Sequence, residues 1–230
     1  MMGNSPTGRS RVRVGDPLVF FARAWTKLYS FWLTWTYPFA HTGQGISIQY
    51  PCIMKKDLSR YVSVGSDVTI RKDTWLDVIE DGCNCVKLVI EDDCRIGARD
   101  TISAKNLIHI ERDVIVAASV LIQDHHHAYE NIEIPIRDQG VTPGGRIRIE
   151  QGCWIGQGAA IVCNSGELVI GRNSVIASNA LVTKSFPPYS VIVGNPARLA
   201  RQFIPARGGW VGGEAGRPSL AVSARRIAED

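Results

Sequence analysis

At 230 residues, with 45% hydrophobic and 21% charged side chains, the chain can bury one core and is not an intrinsically disordered polymer. Its formal charge of +4 gathers at the two ends, in Arg9, Arg11 and Arg13 and in Arg217, Arg225 and Arg226. No interior run has the Lys/Arg density of a nucleic-acid face, so nucleic acid is not the expected partner. Six cysteines, at 52, 83, 85, 94, 153 and 163, are too sparse for a disulfide scaffold. With no secretory signal peptide in view, they fit a reducing cytoplasm.

Residues 1–16, rich in Gly, Ser, Pro and Arg, are expected to be disordered. Residues 17–40 read as an amphipathic helix. Leu18, Phe21, Ala22, Trp25, Leu28, Tyr29, Trp32 and Trp35 recur at spacings of three and four, and Arg23, Lys27, Ser30 and Thr34 form the opposing stripe. Pro38 ends the segment, and two cations interrupt it, so it falls short of the roughly 20 apolar residues of a membrane span. Two placements stay open. The helix lies in a membrane interface, at the inner face of the cytoplasmic membrane, or it packs on the rest of the protein or a partner subunit.

From Val62 onward the chain repeats every six residues. Val64, Ile70 and Leu76 form one triplet, and Ile90, Ile96 and Ile102 a second. Ile110, Val116 and Ile122 follow, then Ile149, Ile155 and Ile161, then Ile170, Ile176 and Val182. Four residues past these positions stand small or β-branched side chains such as Val68, Thr74, Cys94, Val120, Cys153 and Ala159. Three past them stand Asp67, Asp73, Asp93, Asp113, Gly152, Asn173 and Asn179, residue types that tolerate positive φ at a sharp corner. Three six-residue faces per coil predict a triangular parallel β-helix of about five coils within residues 41–203. The spacing breaks only after the third hexad of a triplet, so all insertions leave one corner.

The longest insertion, the loop 123–146, opens with Asp124-His125-His126-His127. Pro196 to Phe203 reads as a short capping helix with proline in its first turn. Residues 204–230 read as a flexible tail, with a weak helix near 219–228.

The hexads resemble those of the hexapeptide-repeat acyltransferases, whose fold is a left-handed parallel β-helix, an exception to the usual crossover hand. Cys153-Trp154-Ile155-Gly156, Leu181-Val182-Thr183-Lys184 and Val193-Gly194-Asn195-Pro196-Ala197-Arg198, in that order, are similar to the carboxyl half of galactoside and maltose acetyltransferases. Pro135-Ile136-Arg137-Asp138-Gln139-Gly140 is similar to a loop of bacterial exopolysaccharide O-acetyltransferases.

The resemblance implies transfer of an acetyl group from acetyl-CoA to a sugar hydroxyl, in surface polysaccharide or glycolipid assembly. An alcohol is a poor nucleophile until a base takes its proton, and a positioned imidazole is the usual base. The family's catalytic histidine stands five residues past the last aliphatic residue of its triplet. Counting from Ile122 gives His127, with His125 as runner-up. Asp124, Arg137 and Asp138 are candidates for contact with the acceptor. The resemblance also implies a coenzyme groove beside Trp154, Gly156, Ala159, Ala177, Ser178 and Thr183, with Lys184, Arg198 and Arg201 as cations for its phosphates. It implies a homotrimer with active sites between subunits. No metal is expected, because three consecutive side chains of extended chain suit one ion poorly. Two alternatives remain: an N-acetyltransferase acting on an amino-sugar nucleotide, and a non-catalytic β-helix scaffold whose histidine loop is decoration.

Overall fold

The computed structural model describes residues 17–212, with side chains from Phe20 onward. The disorder expected over 1–16 and the helix expected near 219–228 lie outside the described residues. A helix, Pro17–Thr36, precedes a parallel β-solenoid of short strands stacked into three walls. Wall 1 runs from His41–Thr42 to Glu167–Ile170, and wall 3 from Cys52–Ile53 to Leu181–Val182, each with six strands. Wall 2 begins at Ser47–Ile48 and carries nine strands, the last two of which are not part of the solenoid coil.

The repeat acts through register. On wall 1, Val64, Ile90, Ile110, Ile149 and Ile170 pair in succession, and on wall 3 Leu76, Ile102, Ile122, Ile161 and Val182 do the same. These ten side chains are essentially inaccessible to solvent. Each contributes about 1.5–3 kcal/mol by leaving water, and stacking like on like keeps the interior free of gaps. The corners behave as their chemistry requires. Asp67, Asp73, Asp93, Asp113, Gly152, Asn173 and Asn179 all have positive φ, and Arg99, Ser119 and Gly158 join them at equivalent corners.

There are about six turns rather than five. The additional first turn is Thr42, Ile48 and Met54, again six apart: Thr42 pairs with Val64 and Ile48 with Ile70. Thr42 breaks the aliphatic pattern, which concealed the turn in the sequence. At the other end Phe186 and Ile192 continue the interior beyond Val182, opposite Ile170 and Ile176.

The capping helix expected over 196–203 does not form. Arg198–Ile204 is a strand antiparallel to Ser190–Val193, and Gly209–Gly212 pairs onto it in turn. Ser190–Val193 would otherwise present unpaired N–H and C=O groups at the open end of wall 2, and a returning strand supplies partners that a helix cannot. Residues 204–212, expected to open a flexible tail, instead hold a 3-10 turn, Pro205–Arg207, and the strand Gly209–Gly212, and the rest of the expected tail lies outside the described residues.

The amino-terminal helix closes the opposite end, and its orientation is the reverse of the usual reading of amphipathicity. Ser30 and Leu33 are its buried residues. Ile48 N–H donates to Ser30 Oγ at 2.7 Å, and Lys27 Nζ donates to Gly45 O at 3.3 Å. The polar stripe thus pairs with the open edge of the first turn, whose backbone groups have no strand before them. Of the apolar stripe, Phe21, Trp25, Leu28, Trp32 and Trp35 face outward, while Tyr29 packs against the core.

Cys83 and Cys85 are joined to each other as a disulfide in the exposed excursion after wall 3's strand Thr74–Val78, a pairing the expectation of a reducing compartment did not include. The same excursion is tied down by Lys87, whose side chain is buried and whose Nζ donates to Ile79 O at 2.8 Å and pairs with Asp81 at 2.6 Å. That hydrogen bond holds the Asp81 carboxyl below its ordinary pKa.

Candidate active site

The histidine excursion leaves wall 3 after Leu121–Gln123 and rejoins wall 1 at Arg146–Ile149. Its root is built around Asp124. This carboxylate is fully buried and accepts N–H bonds from Lys105 at 2.7 Å, Asn106 at 2.8 Å and Leu107 at 3.0 Å. Oδ1 also lies 3.0 Å from His125 Nδ1. Every oxygen of Asp124 is therefore committed to the protein. The expectation that Asp124 contacts the acceptor is corrected: it is a structural carboxylate that replaces strand pairing where the coil is interrupted.

The two arms of the loop are clamped. Thr142 N–H donates to His126 O at 2.8 Å and Ala128 N–H to Gly140 O at 3.0 Å, forming a short antiparallel stub in which His127 stands opposite Val141. Asn106 Nδ2 donates to Pro143 O and Gly145 O, and Lys105 Nζ to Thr142 O. Gly144, at φ +76, passes so close to Asp124 O that a Cβ there would lie 2.5 Å from it.

Along this clamped stub the three histidines differ. His125 is 4% exposed, its Nδ1 directed at Asp124, which leaves Nε2 without a hydrogen-bond partner among the described residues. His126 is half-buried, stacks on Tyr129 with ring centroids 5.6 Å apart, and its Nδ1 is buried without a partner. His127 is exposed. Beyond it the tip presents Ile132, Ile134 and Ile136 to solvent, with Arg137 and Asp138 in a short 3-10 turn, ion-paired at 3.4 Å and both exposed. Among the described residues no three His, Cys, Asp or Glu side chains gather as a metal site.

The coenzyme candidates occupy other parts of the prism. Trp154 is exposed on wall 2, in an outward column with Ile115 and Val175. Gly156 lies at the corner between walls 2 and 3, where a Cβ would come within 2.5 Å of Ser178 N. Ala177 is half-buried above it and Ser178 exposed. Gly97 meets Ala117 and Ala118 in the same column of corners, an extension that the sequence reading passed over. Ala159 points inward and is 1% exposed, so its assignment to the coenzyme surface is corrected: it fills the interior of the corner. Thr183 and Lys184 are exposed just past the last strand of wall 3, and Lys184 Nζ sits 5.7 Å above the Phe186 ring.

The terminal cations do not form one cluster. Arg198 follows Ala197, whose N–H bonds Leu181 O, so it borders the same joint as Lys184. Arg201 stands farther along the hairpin, opposite Val191, with its guanidinium 5.6 Å above Trp210. The histidine loop leaves the corner between walls 3 and 1, whereas the thin corner lies between walls 2 and 3. One chain does not bring the two together.

Burial pushes the Cys94 thiol up to about 12 and Cys153 up to about 11, so both stay protonated at neutral pH. They pack as small hydrophobes, without the thiolate that acyl transfer through cysteine needs.

Comparison with known proteins places this architecture. No family model matches the chain. It is 28% identical to the probable acetyltransferase Rv3034c of Mycobacterium tuberculosis, over 79% of this chain and 55% of that protein. It is 25% identical to the putative lipopolysaccharide biosynthesis O-acetyl transferase WbbJ of Escherichia coli, over 68% of this chain and 78% of that one. The chain spans about half the length of the first of these relatives. Among solved structures, AntD, an N-acyltransferase from Bacillus cereus in complex with dTDP and 3-hydroxybutyryl-CoA, superposes with a TM-score of 0.61 at 16% identity, over 79% of this chain and 89% of that one. The chain is a hexapeptide-repeat β-helix. Its sequence relatives are named acetyltransferases.

Proposed function

We propose that the chain is an acetyl-CoA-dependent O-acetyltransferase acting on a sugar hydroxyl in bacterial surface polysaccharide or glycolipid assembly, with His127 as general base. The observation that carries this reading is the clamped excursion itself. It holds one imidazole, His127, accessible on a fixed stub, while Asp124 and His125 are spent on anchoring. A base must reach the substrate's proton, and His127 is the more exposed of the two candidates.

In this mechanism His127 accepts the hydroxyl proton as the acceptor oxygen bonds to the thioester carbonyl carbon. The tetrahedral intermediate collapses with cleavage of the C–S bond, and the proton passes from the imidazolium to the departing thiolate, giving the acetyl ester and coenzyme A. His125, fixed by Asp124, sets the position of the stub. Trp154, Gly156, Ala177, Ser178 and Thr183 line the donor groove. Lys184 and Arg198, which border one joint, provide cations for the nucleotide end, and Arg201 stands apart from them along the hairpin. The separation of histidine loop and groove within one chain supports a homotrimer whose sites form between neighbours, with the exposed Ile132, Ile134 and Ile136 tip covered by the next subunit and Arg137 and Asp138 beside the acceptor.

An amine acceptor is the second reading, favoured by the likeness to AntD. Thiol release from acetyl-CoA, measured with a panel of neutral sugars and with amino-sugar nucleotides, separates the readings. Release with hydroxyl acceptors and an alkali-labile product supports ester formation. An alkali-stable product formed only from amines supports the amide. Failure to bind acetyl-CoA at all supports the scaffold.

A further inference from the structure

We propose that the outward face of the amino-terminal helix docks on the lipid–water interface of an anionic bilayer. Phe21, Trp25, Leu28, Trp32 and Trp35 repeat at spacings of three and four on the side opposite Ser30 and Leu33, and Phe20 and Phe31 widen the stripe. All seven are more than half exposed, and Trp35 reaches 77%. The helix is held by Ser30 and Leu33 against the first turn, with Tyr29 packed on the core at the edge of the stripe, while the seven outward side chains stay mostly exposed. An apolar hollow lined by Trp25, Leu28, Tyr29, Trp32 and Tyr50 extends the stripe onto the first turn of the solenoid.

Composition selects the occupant. Tryptophan, apolar in body with a polar N–H, partitions to the boundary between headgroups and acyl chains. The helix is too polar to go deeper: no described helix is long and apolar enough to cross a membrane. From Pro17 to Lys56 the sequence holds Arg23, Lys27, Lys55 and Lys56 and not one Asp or Glu. Two such surfaces from two copies would bring cations of one sign together, whereas an anionic lipid surface neutralises them. A tryptophan-rich helix face flanked by Arg23 and Lys27, on a segment whose own sequence holds no Asp or Glu, is what an interfacial anchor requires. Because the helix caps the first turn, the bilayer would lie at the amino-terminal end of the solenoid.

The test is co-sedimentation of the full chain with phosphatidylcholine vesicles, with and without phosphatidylglycerol, alongside size-exclusion of the same protein. The proposal expects binding to the anionic vesicles, weaker binding to phosphatidylcholine alone, and loss on adding salt. It also expects the combined variant Phe21→Gln, Trp25→Gln, Trp35→Gln to bind at least about tenfold more weakly with an unchanged melting temperature, since these side chains leave no interior contact behind. Vesicle binding that the variant retains would overturn it. So would a full chain that ignores both vesicles, or one whose oligomer, but no vesicle binding, is lost in the variant; the last result would assign the face to a second copy. Acyl transfer to a soluble acceptor does not depend on these positions, so either outcome leaves the proposed chemistry to be judged separately.

Discussion

The solenoid walls and the histidine excursion solve one problem in two ways. In the walls each strand's N–H and C=O groups are paired by the turns before and after it, and an aliphatic stack fills the space between. In the excursion no neighbouring turn is available, so one carboxylate, Asp124, takes three backbone N–H groups and the imidazole of His125, and a two-strand stub does the rest. The walls distribute stability over many equivalent positions. The excursion concentrates it at a root, and beyond that root side chains are free to face a substrate. Rigidity at the base and exposure at the tip are what a catalytic loop on a repeat scaffold needs.

Stability measurements can break this contrast. Ile122→Ala, in the wall immediately before the loop, is expected to cost the folded subunit about 2–5 kcal/mol, whereas Ile132→Ala, at a tip exposed within its own chain, costs the subunit's fold less than about 0.5 kcal/mol, any further loss falling on subunit assembly. Similar losses in chemical denaturation would mean that the tip is part of the folded core. Asp124→Ala leaves three N–H groups and an imidazole unpaired in a dry site, and about 2–3 kcal/mol is expected to be lost, with protease cleavage appearing in 125–143 before the walls open. Protection of that segment equal to wild type would remove Asp124 from its assigned role.

The period of six and the corner residues were legible in the sequence because they report steric requirements that every turn repeats. The first turn was not, since Thr42 stands where the other triplets carry an aliphatic residue. Helix orientation stayed open between two placements for a deeper reason. The usual inference buries the apolar stripe, but the open end of a β-helix presents backbone polar groups, and a small hydroxyl such as Ser30 suits them better than an indole. Asp124 carried no signal either: its spacing from His127 is that of a loop residue, and its N–H donors come from the previous turn, around residue 106. Of the coenzyme candidates, Ala159 was misplaced because small residues serve both the inside and the outside of a corner.

Two smaller effects sharpen the comparison within the walls. At the carboxyl end, Lys184→Ala is expected to weaken acetyl-CoA by about tenfold while leaving its 3′-dephospho analogue nearly unaffected, as titration calorimetry would show. Equal losses for both ligands would mean Lys184 does not read the 3′-phosphate. Inside the solenoid, Asp100 fills a corner slot held elsewhere by small residues; one oxygen accepts Val120 N–H and the other has no partner. Burial pushes its pKa up to about 6. The folded state therefore holds this proton more tightly than the unfolded chain, and stability from this group is present below about pH 4 and lost as pH rises through about 6. Asp100→Asn is expected to gain about 1 kcal/mol at neutral pH and nothing at pH near 4. A gain independent of pH would assign the effect to packing instead.

The division between an anchored and a presented imidazole is tested most directly by single-turnover acetyl transfer with wild type, His127→Ala and His125→Ala, acetyl-CoA binding being measured in parallel. Loss of about 10²–10⁴-fold in rate is expected for His127→Ala with acetyl-CoA affinity unchanged, and a smaller loss, accompanied by a lower melting temperature, for His125→Ala. Near-normal turnover in His127→Ala, with the deeper lesion in His125→Ala, would contradict the account and transfer the base to the buried histidine.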